Sequence, residues 1–556
     1  MGERTNKPTT RFARPGTITE AEYVVVGAGS AGCAVAGKLA AAGRSVVLIE
    51  GGKKDVRNLL VTMPGMIGPM HAEPKLKKLV DWGFHTVPQA NALNRELPQP
   101  RGKVVGGSSS INGLLWVRGN RANYDSWAQE MGAAGEAWNA DSVNEQYKRI
   151  EDFEDGASDF RGAGGPIKVT RHTQPTEAST MFKEAAAQTL DMKVLADYNA
   201  GEQEGFSTFQ QSASRGKRYS AARGYLHDRD LPTLSVLTEV SASRVLLEGT
   251  RAVGVEVIDG KGERHVVRAT GEVVLSAGVF GSAQLLQLSG IGSAEELARH
   301  GIATVADLPV GDNLHDHMFV PTTFEMPSAL HHGTAGYFAR GFLKEVTRGG
   351  SFLENTVFET VGFVRTSQAT TVPDLQLHVL PWAYPSPNQD APIRHEVDKR
   401  SALTIMSSLI YPRSRGTLRL RSADPLAEPL IDFNYLAEPH DRQVLLEGVG
   451  MIRDIMAHPL LKGHVKSEIH PGAAIDMEAM KAEIPNRATS IYHGVGTCRM
   501  GVDERAVVDP QLRVRGIDGL RVADASIMPS IIGGNTNAPS VMIGDKAADL
   551  ILGGAA

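Results

Sequence analysis

Short apolar runs alternate along the chain with glycine-rich turns and alanine- or leucine-rich stretches of helical length. Glu22–Val26 predicts a short buried strand. The turn Gly27-Ala28-Gly29-Ser30-Ala31-Gly32 follows, then an alanine-rich helix to about Ala42, with Gly43 where a helix C-cap belongs. Ser45–Ile49 predicts a second buried strand ending at Glu50, and the three pieces form one βαβ unit of about thirty residues. Glu272–Ser276 followed by Gly281–Leu288 repeats the strand–turn–helix texture. So do Gly519–Ala523 and a helix from about Ala538 to Leu552, closed by Gly553, in which Pro539 suits a first helical position. Leu59–Leu79 reads as a loop with weak helical character. Between Val320 and Gly463 the pattern changes, and runs such as Leu375–Leu380 and Thr417–Leu420 predict antiparallel strands. Residues 1–20 are polar and proline-bearing, an extended arm whose Arg4, Arg11 and Arg14 read as a solvated tail.

At 556 residues the chain is too long for one simple core. Its 42% apolar and 22% charged residues fit a soluble globular protein. A net charge of −5 gives no overall basic character and argues against nucleic acid as a partner. The two cysteines, Cys33 and Cys498, exclude a disulfide framework and offer no metal, haem or iron–sulfur spacing; each reads as a small buried hydrophobe. The first residues contain no apolar signal-peptide core, so a cytoplasmic location is expected. Val273–Ala294 and Ala525–Gly544 are free of charge, but their glycines and polar residues suit interior turns better than a membrane span.

The strongest local motif is Gly27-x-Gly29-x-x-Gly32 with Glu50 eighteen residues beyond it. Gly27 permits the tight turn, Gly29 lets backbone amides approach a pyrophosphate, and Gly32 lets the helix pack closely on the sheet. The helix N-terminus then faces the phosphates, and Glu50 can accept from both ribose hydroxyls. This points to a dinucleotide without separating FAD from NAD. The loop Arg101–Gly113, with Gly106-Gly107-Ser108-Ser109-Ser110-Ile111-Asn112-Gly113 at its end, presents amides and hydroxyls suited to a large planar or anionic ligand. Tyr492-His493-Gly494, Asp524-Ala525-Ser526 and Gly534-Asn535-Thr536-Asn537 follow near the C-terminus.

In these motifs, and in Ser276-Ala277-Gly278, Pro309-x-Gly311-x-Asn313-Leu314-x-Asp316-His317 and Pro412-x-Ser414-x-Gly416, the chain resembles the glucose–methanol–choline family of FAD-dependent oxidoreductases from Tyr23 to Ile551. The resemblance implies an α/β plus α+β architecture. A Rossmann-like FAD-binding domain would be built from residues 21–155, 215–320 and 488–556. A substrate domain with an antiparallel sheet would come from residues 156–214 and 321–487. It implies His493 as catalytic base and Asn535 as its partner. Gly27, Gly29, Ser30, Ala31, Gly32, Glu50, Arg101, Val105, Gly107, Ser108, Asn112, Gly113, Val240, Ala277, Gly278, Asp524, Ala525, Asn535, Thr536 and Asn537 would hold FAD. Some relatives attach the flavin to a histidine in the GGSS-x-N loop; Ile111 occupies that slot here, so a dissociable FAD is expected.

The expected reaction is oxidation of a primary alcohol, apolar or aromatic rather than a sugar, with electrons passing to oxygen, a quinone or a protein carrier. A neutral imidazole can take the hydroxyl proton near neutral pH, and an amide beside it can steady the alkoxide. A hydroxynitrile-lyase type of chemistry on the same scaffold is the alternative. Met63, Met66 and Met70 are read either as a flexible apolar gate or as core packing, Phe363, Trp382 and Tyr384 as substrate-side residues, and His315 and His317 as structural. If the flavin's pyrimidine edge faces the start of the last helix, the dipole there would stabilise an anionic reduced flavin.

Overall fold

The computed structural model describes residues 10–55, 59–383 and 399–553. Tyr384 and Arg4 lie outside them. Two sheets organise the chain. The first has eight strands, ordered Arg11–Ala13, Leu234–Thr238, Val46–Glu50, Glu20–Val26, Arg264–Leu275, Arg251–Asp259 and Val240–Glu248, with Leu520–Val522 pairing the second half of Arg264–Leu275. Pairing is parallel from the Arg11–Ala13 edge through Arg264–Leu275 and antiparallel over the last two strands. Strands covered on both faces read as continuous apolar runs, and Val46–Glu50 is buried throughout.

The helix Ser30–Ala41 packs between this sheet and the C-terminal helix Asn537–Leu552. Alanine and glycine dominate it because both of its sides are covered. The last helix begins at Asn537 and ends at Gly553 in the left-handed region (φ 71°), so Pro539 sits in the third helical position, still within the turn whose N–H groups need no intrahelical partner. The arm is more than a solvated tail. Arg11–Ala13 adds a parallel edge strand to Leu234–Thr238, Phe12 lies under the Lys54 ammonium at 4.4 Å, and Arg11 and Arg14 are exposed.

The second sheet is antiparallel, ordered Ser467–His470, Met318–Glu325, Ala402–Leu409, Leu375–Leu380, Thr360–Val364 and Gly205–Thr208, with Thr489–Ser490 pairing the start of Met318–Glu325. The helix Pro439–Met456 covers its back. Period-two alternation along Leu375–Leu380 sends Leu375, Leu377 and Val379 to one face and Gln376, His378 and Leu380 to the other; His378 and Leu380 line the cavity between the sheets. Thr417–Arg419 forms a separate two-stranded ribbon with Leu430–Asp432.

Candidate active site

A cavity of about 820 Å³ runs from the N-terminus of the helix Ser30–Ala41 to the front of the antiparallel sheet. At the first end Gly27 turns the chain out of its strand at φ 98°. Glu50 is buried, and its two oxygens accept from Ala28 N at 3.0 Å and Gly52 N at 2.7 Å. Burial pushes its pKa up to about 7, against the lowering effect of those amides. The loop Arg101–Gly113 is stitched onto this turn: Gly106 N donates to Ala28 O at 2.7 Å and Val105 N to Lys53 O at 2.9 Å. A Cβ on Gly107, at φ 52°, would stand 2.6 Å from Gly29 Cα. Two glycine backbones thus meet and leave an open cradle lined with amides, Ser30 and Ser108. Arg218 sets the far end of the loop, donating from Nη1 to Asn112 Oδ1 and from Nη2 to Asn112 O, both at 2.7 Å. Asp524 ties the turns together by accepting from Gly278 N (2.9 Å), Ser282 Oγ (2.6 Å) and Ser526 N (2.8 Å).

At the other end, polar side chains converge in an apolar wall. Gln376 Nε2 donates to Asn535 Oδ1 at 3.2 Å, which turns the Asn535 amide nitrogen toward His493 Nε2 at 3.3 Å. A ring nitrogen that accepts there carries no proton. Neutral His493 therefore holds its proton on Nδ1, 3.1 Å from Nδ1 of His317. Burial holds the His493 pKa well below the usual imidazole range, and His317, His378 and Arg101 push it the same way. The backbone at His493 is fixed by Asp316, whose Oδ1 accepts from His493 N at 2.6 Å while its Oδ2 accepts from the Ser490 and Tyr435 hydroxyls. Tyr492, at φ 71°, makes the left-handed step that points His493 inward. Beyond them, Trp382 stacks on Phe338 (5.4 Å, 21°), and Phe319, Phe358, Leu380, Met406 and Ile491 complete the wall.

Comparison with known proteins follows the same geometry. Family models described as GMC oxidoreductase match residues 21–319 and 412–544. The chain is 39% identical over 542 residues to an alcohol dehydrogenase [acceptor] of Pseudomonas putida, covering 96% of this chain and 95% of that one. The chain belongs to the GMC oxidoreductase family. It is also 39% identical over 552 residues to an oxygen-dependent choline dehydrogenase of Sinorhizobium medicae, covering 96% of each chain. Among solved structures, a formate oxidase from Aspergillus oryzae superposes with a TM-score of 0.86 at 27% identity, covering 97% of this chain and 99% of its own. A pyridoxine 4-oxidase superposes with a TM-score of 0.83 at 27% identity, covering 95% and 98%. This GMC oxidoreductase is accordingly an FAD flavoenzyme acting on CH–OH donors. The glycine cradle and the helix N-terminus beside Glu50 fit that cofactor, since the close approach of Gly107 to Gly29, which a Cβ would prevent, leaves backbone amides open to the cavity.

Of the residues anticipated from the sequence of this GMC oxidoreductase, Gly27, Gly29, Ser30, Ala31, Glu50, Arg101, Gly107, Ser108, Asn112, Gly113, Val240, Ala277, Gly278, Asp524, Ala525, Asn535, Thr536, Asn537 and His493 all line the cavity. Gly32 and Val105 stand behind it, one beneath the turn and one buried under the loop. Other readings need correction. Of the two readings of Met63, Met66 and Met70, the gate does not hold, because Ile67 and Gly68 of the same segment line the cavity instead, and core packing holds for Met70, which packs with Val61, Val80 and Val104. Phe363 lies off the cavity, packed on Tyr198 at 5.8 Å, one strand further out than the lining positions. His317 contacts His493 directly and is not a bystander. His315 is structural: its Nε2 accepts from Ile531 N at 3.0 Å.

Gln376 and His378 went unnoticed in the sequence. His378 lines the cavity, stacks on Phe209 at 5.6 Å and meets Ser408 Oγ at 3.2 Å; burial draws its pKa down to about 3. The alternation of Leu375–Leu380 was the signal that could have revealed both.

Proposed function

We propose that this GMC oxidoreductase oxidises uncharged primary alcohols with apolar or aromatic bodies to aldehydes, with His493 as the base. The observation that carries the reading is the unprotonated His493 Nε2, held beside the Asn535 amide at the foot of an aromatic wall. FAD, when bound, supplies the acceptor for the carbinol hydride. The chain's own residues do the rest. His493 Nε2 takes the hydroxyl proton, and Asn535 Nδ2 donates to the oxygen as charge builds on it. The proton already on Nδ1 stays shared with His317, so the ring becomes imidazolium without turning. Gln376 keeps the Asn535 amide in the donating orientation. The apolar wall excludes water from the alkoxide.

An aromatic wall suits either an aromatic ring or a quaternary ammonium group. A buried permanent cation also needs a countercharge. Among the described residues, the carboxylates lining the cavity are Glu50, Glu428 and Asp524. Each is engaged elsewhere: Glu50 and Asp524 with backbone amides, and Glu428 with His85 N at 2.7 Å. This favours an uncharged alcohol over choline. Residue 111 is isoleucine and no histidine lies in the loop Arg101–Gly113, which supports a dissociable FAD; acid precipitation should release all of it into the supernatant. The substrate test is kcat/KM for benzyl alcohol, hexanol and choline with an artificial acceptor, with aldehyde quantified. Benzyl alcohol or hexanol should exceed choline by at least tenfold. Preference for choline would overturn the assignment.

A further inference from the structure

The helix Ala335–Thr347 is built unlike the others. Its inward face is aromatic: Tyr337 stacks on Phe352 at 4.8 Å and Phe338 on Trp382 at 5.4 Å, and Phe338 is itself a cavity wall. Its outward face is also apolar. Ala339, Phe342, Leu343 and Val346, at i, i+3, i+4 and i+7, are exposed, Leu343 by 61%, Val346 by 58% and Phe342 by 38%. Leu330, just ahead of the helix, is 61% exposed as well. Among the described residues no other helix presents such a run of large exposed apolar side chains.

The exposed charges along this segment have one sign. Arg340, Lys344 and Arg348, spaced at i, i+4 and i+8, are exposed and form no ion pair with any described residue. The only acid, Glu345, is turned inward, its Oε2 accepting from Ser351 Oγ at 2.9 Å. The chain as a whole carries −5, so the cationic flank is a local feature. A helix with an apolar outer face flanked by basic residues matches the chemistry of an anionic lipid–water interface. No helix among the described residues is long and apolar enough to cross a membrane, so the contact would lie in the interface plane.

We propose that the helix Ala335–Thr347 docks this enzyme onto an anionic phospholipid bilayer. Phe342, Leu343 and Val346 enter the acyl boundary, and Arg340, Lys344 and Arg348 meet the lipid phosphates. The cavity wall formed by Phe338 then stands one helix away from the apolar phase, where alcohols with apolar bodies concentrate.

The test is co-sedimentation of the FAD-loaded full chain with vesicles of phosphatidylglycerol and phosphatidylcholine, beside vesicles of phosphatidylcholine alone. Binding should be confined to the anionic vesicles and weaken at high salt. It should fall at least tenfold in the double variant Leu343→Glu/Val346→Glu and in Arg340→Glu/Lys344→Glu. Turnover of water-soluble benzyl alcohol without vesicles should be unchanged in both, which separates a lost lipid contact from a misfolded chain. No sedimentation of the parent protein, or equal sedimentation of the variants, would overturn the proposal. So would light scattering that shows a dimer dispersed by the Leu343→Glu/Val346→Glu change, because the face would then belong to a second copy.

Discussion

Gly107→Ala is expected to weaken FAD binding without unfolding the protein. Gly107 sits at φ 52°, and an added Cβ would stand 2.6 Å from Gly29 Cα. Ordinary contact begins near 3.4 Å. The neighbour is backbone, so no rotamer change relieves the overlap, and the two loops must separate by several tenths of an ångström. Overpacking of this kind costs about 1–3 kcal/mol. The displaced loops are the ones that form the cradle proposed for the cofactor, so the cost is read in FAD affinity. At about 1.4 kcal/mol per decade, the FAD dissociation constant should rise roughly 5- to 150-fold. The left-handed φ adds about 1–2 kcal/mol of strain whether or not FAD is present. Gly43→Ala isolates that second effect: Gly43 is at φ 79° with nothing within 4 Å of its Cβ position. It should lower stability by a similar amount and leave FAD affinity unchanged. The assay is quenching of flavin fluorescence on titrating apoprotein into FAD, with thermal unfolding in parallel. FAD affinity that is equal in Gly107→Ala and the parent would refute the placement of this loop against the cofactor.

Further outcomes are expected. His493→Ala should retain flavin and lower kcat by about 10²–10⁴, the usual worth of a positioned base, as measured by aldehyde formation. Glu50, with its pKa raised to about 7 in the ligand-free protein, is protonated as pH falls through 7, and a protonated carboxyl is the poorer acceptor for ribose hydroxyls. FAD affinity should therefore drop by up to about tenfold per pH unit below 7 and be level above it. In Glu50→Gln, equilibrium titration between pH 6 and 8 should find that dependence gone.

Much of the cofactor end was legible because its determinants are local. The βαβ unit follows from the glycines at 27, 29 and 32, and Gly553 ends the last helix at positive φ as its position in the sequence implied. The chemistry end was only half legible. His493 and Asn535 stand in recognisable motifs, but Gln376 reaches Asn535 across 159 positions and His317 reaches His493 across 176. Period-two patterning says which residues share a face of Leu375–Leu380, not what that face meets. The methionines of Leu59–Leu79 stayed open between gate and core for a related reason. Composition indicated an apolar segment, but the short helices Leu59–Thr62 and Ile67–Ala72 decide which side chains look into the cavity, and those are Ile67 and Gly68. Phe363 was misplaced because membership of the sheet does not say which strand reaches the cavity.

The most direct test of the central claim is the visible spectrum of the purified flavoprotein mixed anaerobically with a primary alcohol in a stopped-flow cell. Benzyl alcohol or hexanol should bleach the oxidised flavin band within a turnover time, and His493→Ala should slow that bleaching by at least a hundredfold with the band intact at the start. A flavin that stays oxidised with every uncharged alcohol, or that bleaches equally fast in His493→Ala, would contradict the assignment of His493 as the base for alcohol oxidation.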